Sequence, residues 1–249
     1  MASIEDLNRK ILLDGTPRLL YCPEIGSETK SRITEVREFL DENREYSFIL
    51  YFNHISYNDP AVAAHIAERI DPHHTRHLLA PASFSHTDPD DPKSKGFSFL
   101  VEMAKKCGVE IIRVIQSYQV NNPKYGYTEE QARSTYMDLM RRLKQLRSEG
   151  VPTGFMISPE GHRSETGEMI LAQPGVVAAG RMLAPVIYVP VGVSYLGKYD
   201  RDTINIGRRV RLSVGEVTTQ TDPKVYPSVE ELMYKLALTL PEEMRGVWK

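Results

Sequence analysis

The sequence predicts an α/β protein: a mostly parallel mixed sheet flanked by helices. Two observations carry that expectation. Short apolar runs with β-branched and aromatic residues recur along the chain, and they alternate with segments of helical periodicity. Helix-start and helix-stop signals bracket several of the periodic segments, so strand and helix follow one another throughout.

At 249 residues the chain fits one α/β domain, with or without an added helical piece. We expect an N-terminal helical segment over residues 1–45, packed on a main domain over residues 46–249. Ile4, Leu7, Ile11 and Leu12 stand at helical spacing, which suits a packing arm or an interfacial anchor. Ile33, Val36, Phe39 and Leu40 form the stripe of a second helix. Residues 48–52 (Phe-Ile-Leu-Tyr-Phe) read as a short buried strand. Asp59-Pro60 in front of an Ala- and Val-rich run then starts a helix over 60–70. A strand over 76–80 precedes a polar stretch over 85–96, a loop suited to the mouth of a site. A helix over 97–106 leads through Gly108 into a strand over 109–115.

Thr128 with Gln131 forms a capping box for the longest helix, whose core face is Ala132, Tyr136, Leu139, Met140, Leu143 and Leu146 and which stops at Gly150. A strand over 152–157, a helix over 174–183 and a strand over 185–193 follow. Residues 203–219 alternate as an edge hairpin or strand with Arg209 and Arg211 on one face. Ser228 with Glu231 caps the final helix, with Val229, Leu232, Met233, Leu236 and Leu240 as its stripe.

A net charge of −2 argues against a general nucleic-acid binder. Cys22 and Cys107 have neither metal-ligand nor redox spacing and read as buried reduced thiols of a cytoplasmic protein. The start of the sequence lacks a basic-then-apolar secretion pattern. No run approaches the ~18 apolar residues of a spanning helix. Membrane contact is therefore expected from the surface alone, peripherally at the inner face. Arg141, Arg142, Lys144 and Arg147 read as a solvated helix end that complements the dipole, or as a landing patch for anionic lipid. His73, His74, His77 and His86 fit no metal motif and read as solvated or locally bonded.

The chemistry concentrates at His54 and Asp59. His54 falls at the carboxyl end of the 48–52 strand and Asp59 at the entrance of the next helix, where α/β sheets commonly place sites. Within one helix, residues five apart would point about 140° away from each other. Across a strand–turn–helix corner they can meet, because the residue before Pro60 is pushed out of the α region. A carboxylate on one imidazole nitrogen fixes the tautomer and raises the basicity of the other, which makes a general base. The plainer alternative is that Asp59 caps the helix and His54 is a loop histidine.

Four blocks in order carry a resemblance: Asn53-His54-x4-Asp59, the stretch from Gly108 to Arg113, Pro159-Glu160-Gly161-His162-Arg163-Ser164, and the stretch from Pro185 to Val191. Together they resemble the glycerolipid acyltransferases, the lysophosphatidic acid and glycerol-3-phosphate acyltransferases, over roughly residues 46–217. The resemblance implies that fold and an O-acyl transfer from acyl-CoA or acyl-carrier protein to a glycerol phosphate or lysophospholipid hydroxyl.

It implies His54 as base and Asp59 as its orienting acid. Glu160, Gly161, Arg163 and Ser164 would help bind the acceptor, Arg113 would assist, and Pro190 would shape the acyl-donor side. No metal or other cofactor is implied, since the acyl carrier is a substrate. No Gly-x-Ser-x-Gly elbow is present, which fits direct transfer without an acyl-enzyme. His162 stands where the family usually has Thr. The hydrophobic N-terminal helices of many relatives have no counterpart here. Two other readings remain: a metal-dependent hydrolase using His54, Asp59, Glu160 and His162, and a lipid-binding module without catalysis.

Overall fold

The computed structural model describes residues 10–15, 18, 21–83, 101, 102, 104–202 and 205–249. After a π-helical turn at Ile11–Gly15 come β1 (Pro23–Ile25), α1 (Ser27–Glu42), β2 (Ser47–Phe52), α2 (Asp59–Ile70), β3 (His77–Ser83) and β4 (Val109–Val114). The second half runs α3 (Glu129–Ser148), β5 (Thr153–Ile157), α4 (Gly175–Leu183), β6 (Val186–Tyr195), β7 (Val210–Val214), β8 (Thr218–Gln220) and α5 (Val229–Ala237). Ile4, Leu7, His86 and the 85–96 stretch lie outside the described residues, as does most of the expected 97–106 helix.

The strands form one eight-stranded sheet in the order β1-β7-β6-β2-β5-β3-β4, with β8 also paired to β6. β2 through β6 are mutually parallel, and β7 and β8 run antiparallel to β6. This is the mostly parallel mixed sheet expected. β2 lies inside the sheet with all six residues buried. Alternate side chains leave a strand on opposite faces, so the continuous apolar run of β2 serves two cores. Phe48, Leu50 and Phe52 meet α1 and α2, while Ile49 and Tyr51 meet α3, α4 and α5. Burying each of these side chains is worth about 1.5–3 kcal/mol, which ties the centre of the sheet to both helical layers. Gly154 on β5 is required by the same packing, because a Cβ there would come within 2.4 Å of Phe48 and 2.9 Å of Leu78.

Residues before 46 form α1, which packs in the same core as α2, and also contribute β1 to the common sheet. With only three half-buried residues, β1 carries no periodic signal. β7 is no edge strand, since β1 covers it, and Arg209 pairs with Glu24 of β1. Cys107 is buried, but Cys22 is exposed. Of the α3 basic cluster, Arg142 turns inward to Glu110 at 2.9 Å. Glu110 also binds His77 at 2.6 Å, and His74 binds Glu68 at 2.7 Å.

Candidate active site

Register brings the two main sequence blocks together. β2 and β5 are parallel neighbours with Tyr51 opposite Ile157. His54 and Glu160 each come three residues after that pair, so they leave the sheet side by side at its carboxyl rim. Asn53 fixes the strand end: its amide donates to Val193 O at 3.0 Å, and Val193 N donates to its carbonyl oxygen at 2.7 Å.

His54 Nδ1 lies 3.0 Å from Asp59 Oδ2. Asp59 is fully buried, whereas the His54 side chain is 19% exposed. The carboxylate does not cap α2, which it opens as the first helical residue. It folds back instead, accepting from the amides of Ile55 at 2.5 Å and Ser56 at 2.6 Å. Its second oxygen accepts from Ser56 Oγ at 3.2 Å and Tyr195 OH at 3.3 Å. A buried carboxylate needs such donors, and here they fix both its position and its orientation toward the ring. With Nδ1 engaged, Nε2 is the nitrogen left to exchange a proton, and no described residue bonds to it.

Glu160 is fully buried and joins two backbones: one oxygen accepts from His54 N at 2.6 Å and the other from Ile170 N at 2.9 Å. Burial pushes its pKa up to about 8, against the pull of those two amides. Ser164 N donates to His54 O at 2.8 Å, so residue 54 is held from both sides of its peptide. The Ser164 hydroxyl accepts from Gly167 N at 3.1 Å and closes the following turn. Gly161 sits at φ +73°, a left-handed conformation that favours glycine. Glu160, Gly161 and Ser164 thus shape the loop.

Arg163 and His162 face the corner. The Arg163 guanidinium stacks 3.7 Å from the ring centroid of Tyr57, inside the His54–Asp59 turn. It also donates to Arg201 O at 2.6 Å and to Asp202 at 2.9 Å. His162 packs against Tyr118 with ring centroids 5.4 Å apart. Burial, then the positive charge of Arg201, lowers its pKa.

Two predicted residues, Arg113 and Pro190, lie on strands other than β2 and β5. Arg113 is exposed near the end of edge strand β4, three strand spacings or about 14 Å from β2 along the sheet. Pro190 is buried within β6 opposite Tyr51, where β6 changes partner from β8 to β7. A residue without an N–H fits that break in the ladder. Sequence reasoning missed Ser56, Tyr57, Tyr118, Tyr195, Arg201 and Asp202. All but the first two come from distant parts of the chain, so no local spacing signals them. The four groups considered for a metal do not form a ligand set, since both Glu160 oxygens serve amides. Among the described residues no three His, Cys, Asp or Glu side chains are placed to share an ion.

Fold and geometry together define an α/β protein with a carboxylate-oriented histidine at the rim of its sheet. No family model matches the sequence, and no curated protein matches it. Among solved structures the chain is similar to PlsC, the 1-acyl-sn-glycerophosphate (LPA) acyltransferase of Thermotoga maritima. The identity is 16% and the TM-score 0.42, over 95% of this chain and 93% of that one.

Proposed function

We propose that the chain is an O-acyltransferase. It moves a fatty acyl group from a thioester of CoA or acyl-carrier protein to a hydroxyl of a glycerol phosphate or lysophospholipid. The observation that carries this reading is the His54–Asp59 pair, 3.0 Å apart, with the acid buried and the ring open on one side. Nε2 takes the acceptor's hydroxyl proton as the oxygen attacks the thioester carbonyl. The tetrahedral intermediate then expels the thiolate, which receives the proton from the imidazolium. No enzyme nucleophile is needed. The resemblance of the four sequence blocks supports the same chemistry.

A phosphate on the acceptor suits Arg163. Its guanidinium is 14% exposed and already holds a carboxylate, that of Asp202, which is itself 63% exposed. Arg201 lies alongside with its Nε buried and bonded to no described residue. A phosphate group replaces the Asp202 carboxylate and takes a bidentate guanidinium contact. A lysolipid acceptor would be reached at a membrane surface; among the described residues no helix is long and apolar enough to cross one.

The test is thiol release from acyl-CoA and from acyl-carrier protein with glycerol phosphate, lysophosphatidate and glycerol in turn. Release that depends on a phosphate-bearing acceptor is expected. Release at the same rate with no acceptor would mean hydrolysis and would overturn the proposal. In the same assay Asp202→Asn is expected to lower KM for the phosphate acceptor by up to about fivefold with kcat unchanged, since exposed ion pairs are worth about 0.2–1 kcal/mol. An unchanged KM would remove Asp202 from the acceptor's path.

A further inference from the structure

A concave face at the other end of α2 collects charge that the active site does not use. It encloses about 320 Å³ between the N-terminal π-helical turn, α1 and the end of α2. Lys30, Ile33 and Arg37 reach it from one face of α1, at positions i, i+3 and i+7. Lys10 and Arg18 come from the N-terminal stretch and Arg69 from the last turn of α2. Arg69 lies ten residues along α2 from Asp59, about 15 Å at the rise of an α-helix.

Among the described residues, five cations therefore line one cavity against two carboxylates, Asp14 and Glu68. Both acids are already engaged. Asp14 pairs with Arg18 at 2.8 Å and lies 3.8 Å from Arg69, while Glu68 holds His74 at 2.7 Å. The side chains of Lys10, Lys30 and Arg37 bond to no described residue. A concave wall with an excess of three positive charges focuses an attractive field on anions. A phosphate group carries about −1.5 to −2 at neutral pH, so two of them match that excess. The volume is at the lower end of small-molecule sites, about 300–1,000 Å³.

We propose that this pocket is a second site, separate from the His54–Asp59 corner, for a ligand bearing two phosphate groups. A soluble coenzyme-type diphosphate and a phosphorylated lipid headgroup present the same chemistry. The proposal does not depend on acyl transfer, because binding can be read without turnover.

The test is calorimetric titration of the full chain with inorganic pyrophosphate. Saturable binding that weakens with added salt is expected. It should weaken at least about tenfold in the Lys30→Glu/Arg37→Glu double variant, which reverses two charges of the wall. Arg163→Ala is expected to leave it intact. Displacement of pyrophosphate by CoA would identify a soluble source, and displacement by vesicles containing phosphatidylinositol 4-phosphate, whose headgroup carries two phosphates, a lipid one; either supports the site. Absence of saturable binding overturns the proposal. So does binding that the double variant retains but Arg163→Ala loses, since the anion would then sit in the active site.

Discussion

Replacing His54 with alanine is expected to lower acceptor-dependent thiol release by about 10²–10⁴-fold, the usual contribution of a positioned general base. Stability should change little, because the ring is partly exposed and its backbone contacts to Glu160 and Ser164 do not involve the side chain. Asp59→Asn is expected to act on the same step. The substitution removes the charge that favours the imidazolium and forces one of the donors around the acid to face an NH₂ group. Its loss should therefore appear in kcat far more than in acceptor KM. Steady-state kinetics of the two variants, with circular dichroism to verify folding, make the check. Wild-type turnover in folded His54→Ala would leave the ring without a role. A loss confined to KM in Asp59→Asn would reduce that acid to a structural part of the turn.

Acidification is expected to destabilise the fold by about 3 kcal/mol through one residue, His65. Its ring is fully buried in α2. Burial, followed by the positive charges of Arg69 and Arg18, holds its pKa at about 4 against the opposing pull of Asp14. Arg69 Nε donates to its Nε2 at 3.1 Å, which requires that nitrogen to be unprotonated. The ordinary value for the ring is 6.5. Between the two values the unfolded chain binds the proton and the folded chain does not. This stability is thus complete above pH 6.5 and is lost as the pH falls towards 4. At about 1.4 kcal/mol for each tenfold difference in proton affinity, the total is the 3 kcal/mol given above. Urea unfolding of the wild type and of His65→Gln, near neutrality and near pH 4, reads it. The variant should show a flatter pH dependence, and parallel curves would exclude His65 as the source.

Much of the fold is legible in the sequence because its signals are local. Thr128 accepts from Gln131 N and Ser228 from Glu231 N, as the capping patterns indicate. β2 and α2 are bounded within a residue or two by the apolar run and by Asp59-Pro60. The meeting of His54 with Asp59 is legible for the same reason, since only five residues separate them. Contacts across the sheet are not. Tyr195 reaches Asp59 over 136 residues because β6 continues past the end of β2. The contact of Arg163 with Arg201 depends equally on which strands become neighbours. His65 resembles any polar residue in an alanine-rich helix until the packing of the N-terminal turn over it is known.

The paired hold on residue 54, through Glu160 on one side and the Ser164 amide on the other, ties the length of the 160–164 segment to the place of the imidazole. Lengthening or shortening that segment would shift His54 away from Asp59, so under the proposed acyl transfer such a change is expected to cost turnover. The side chains at 162 and 163 take no part in the hold. Under the same proposal, replacement at those two positions can alter what meets the imidazole without moving it.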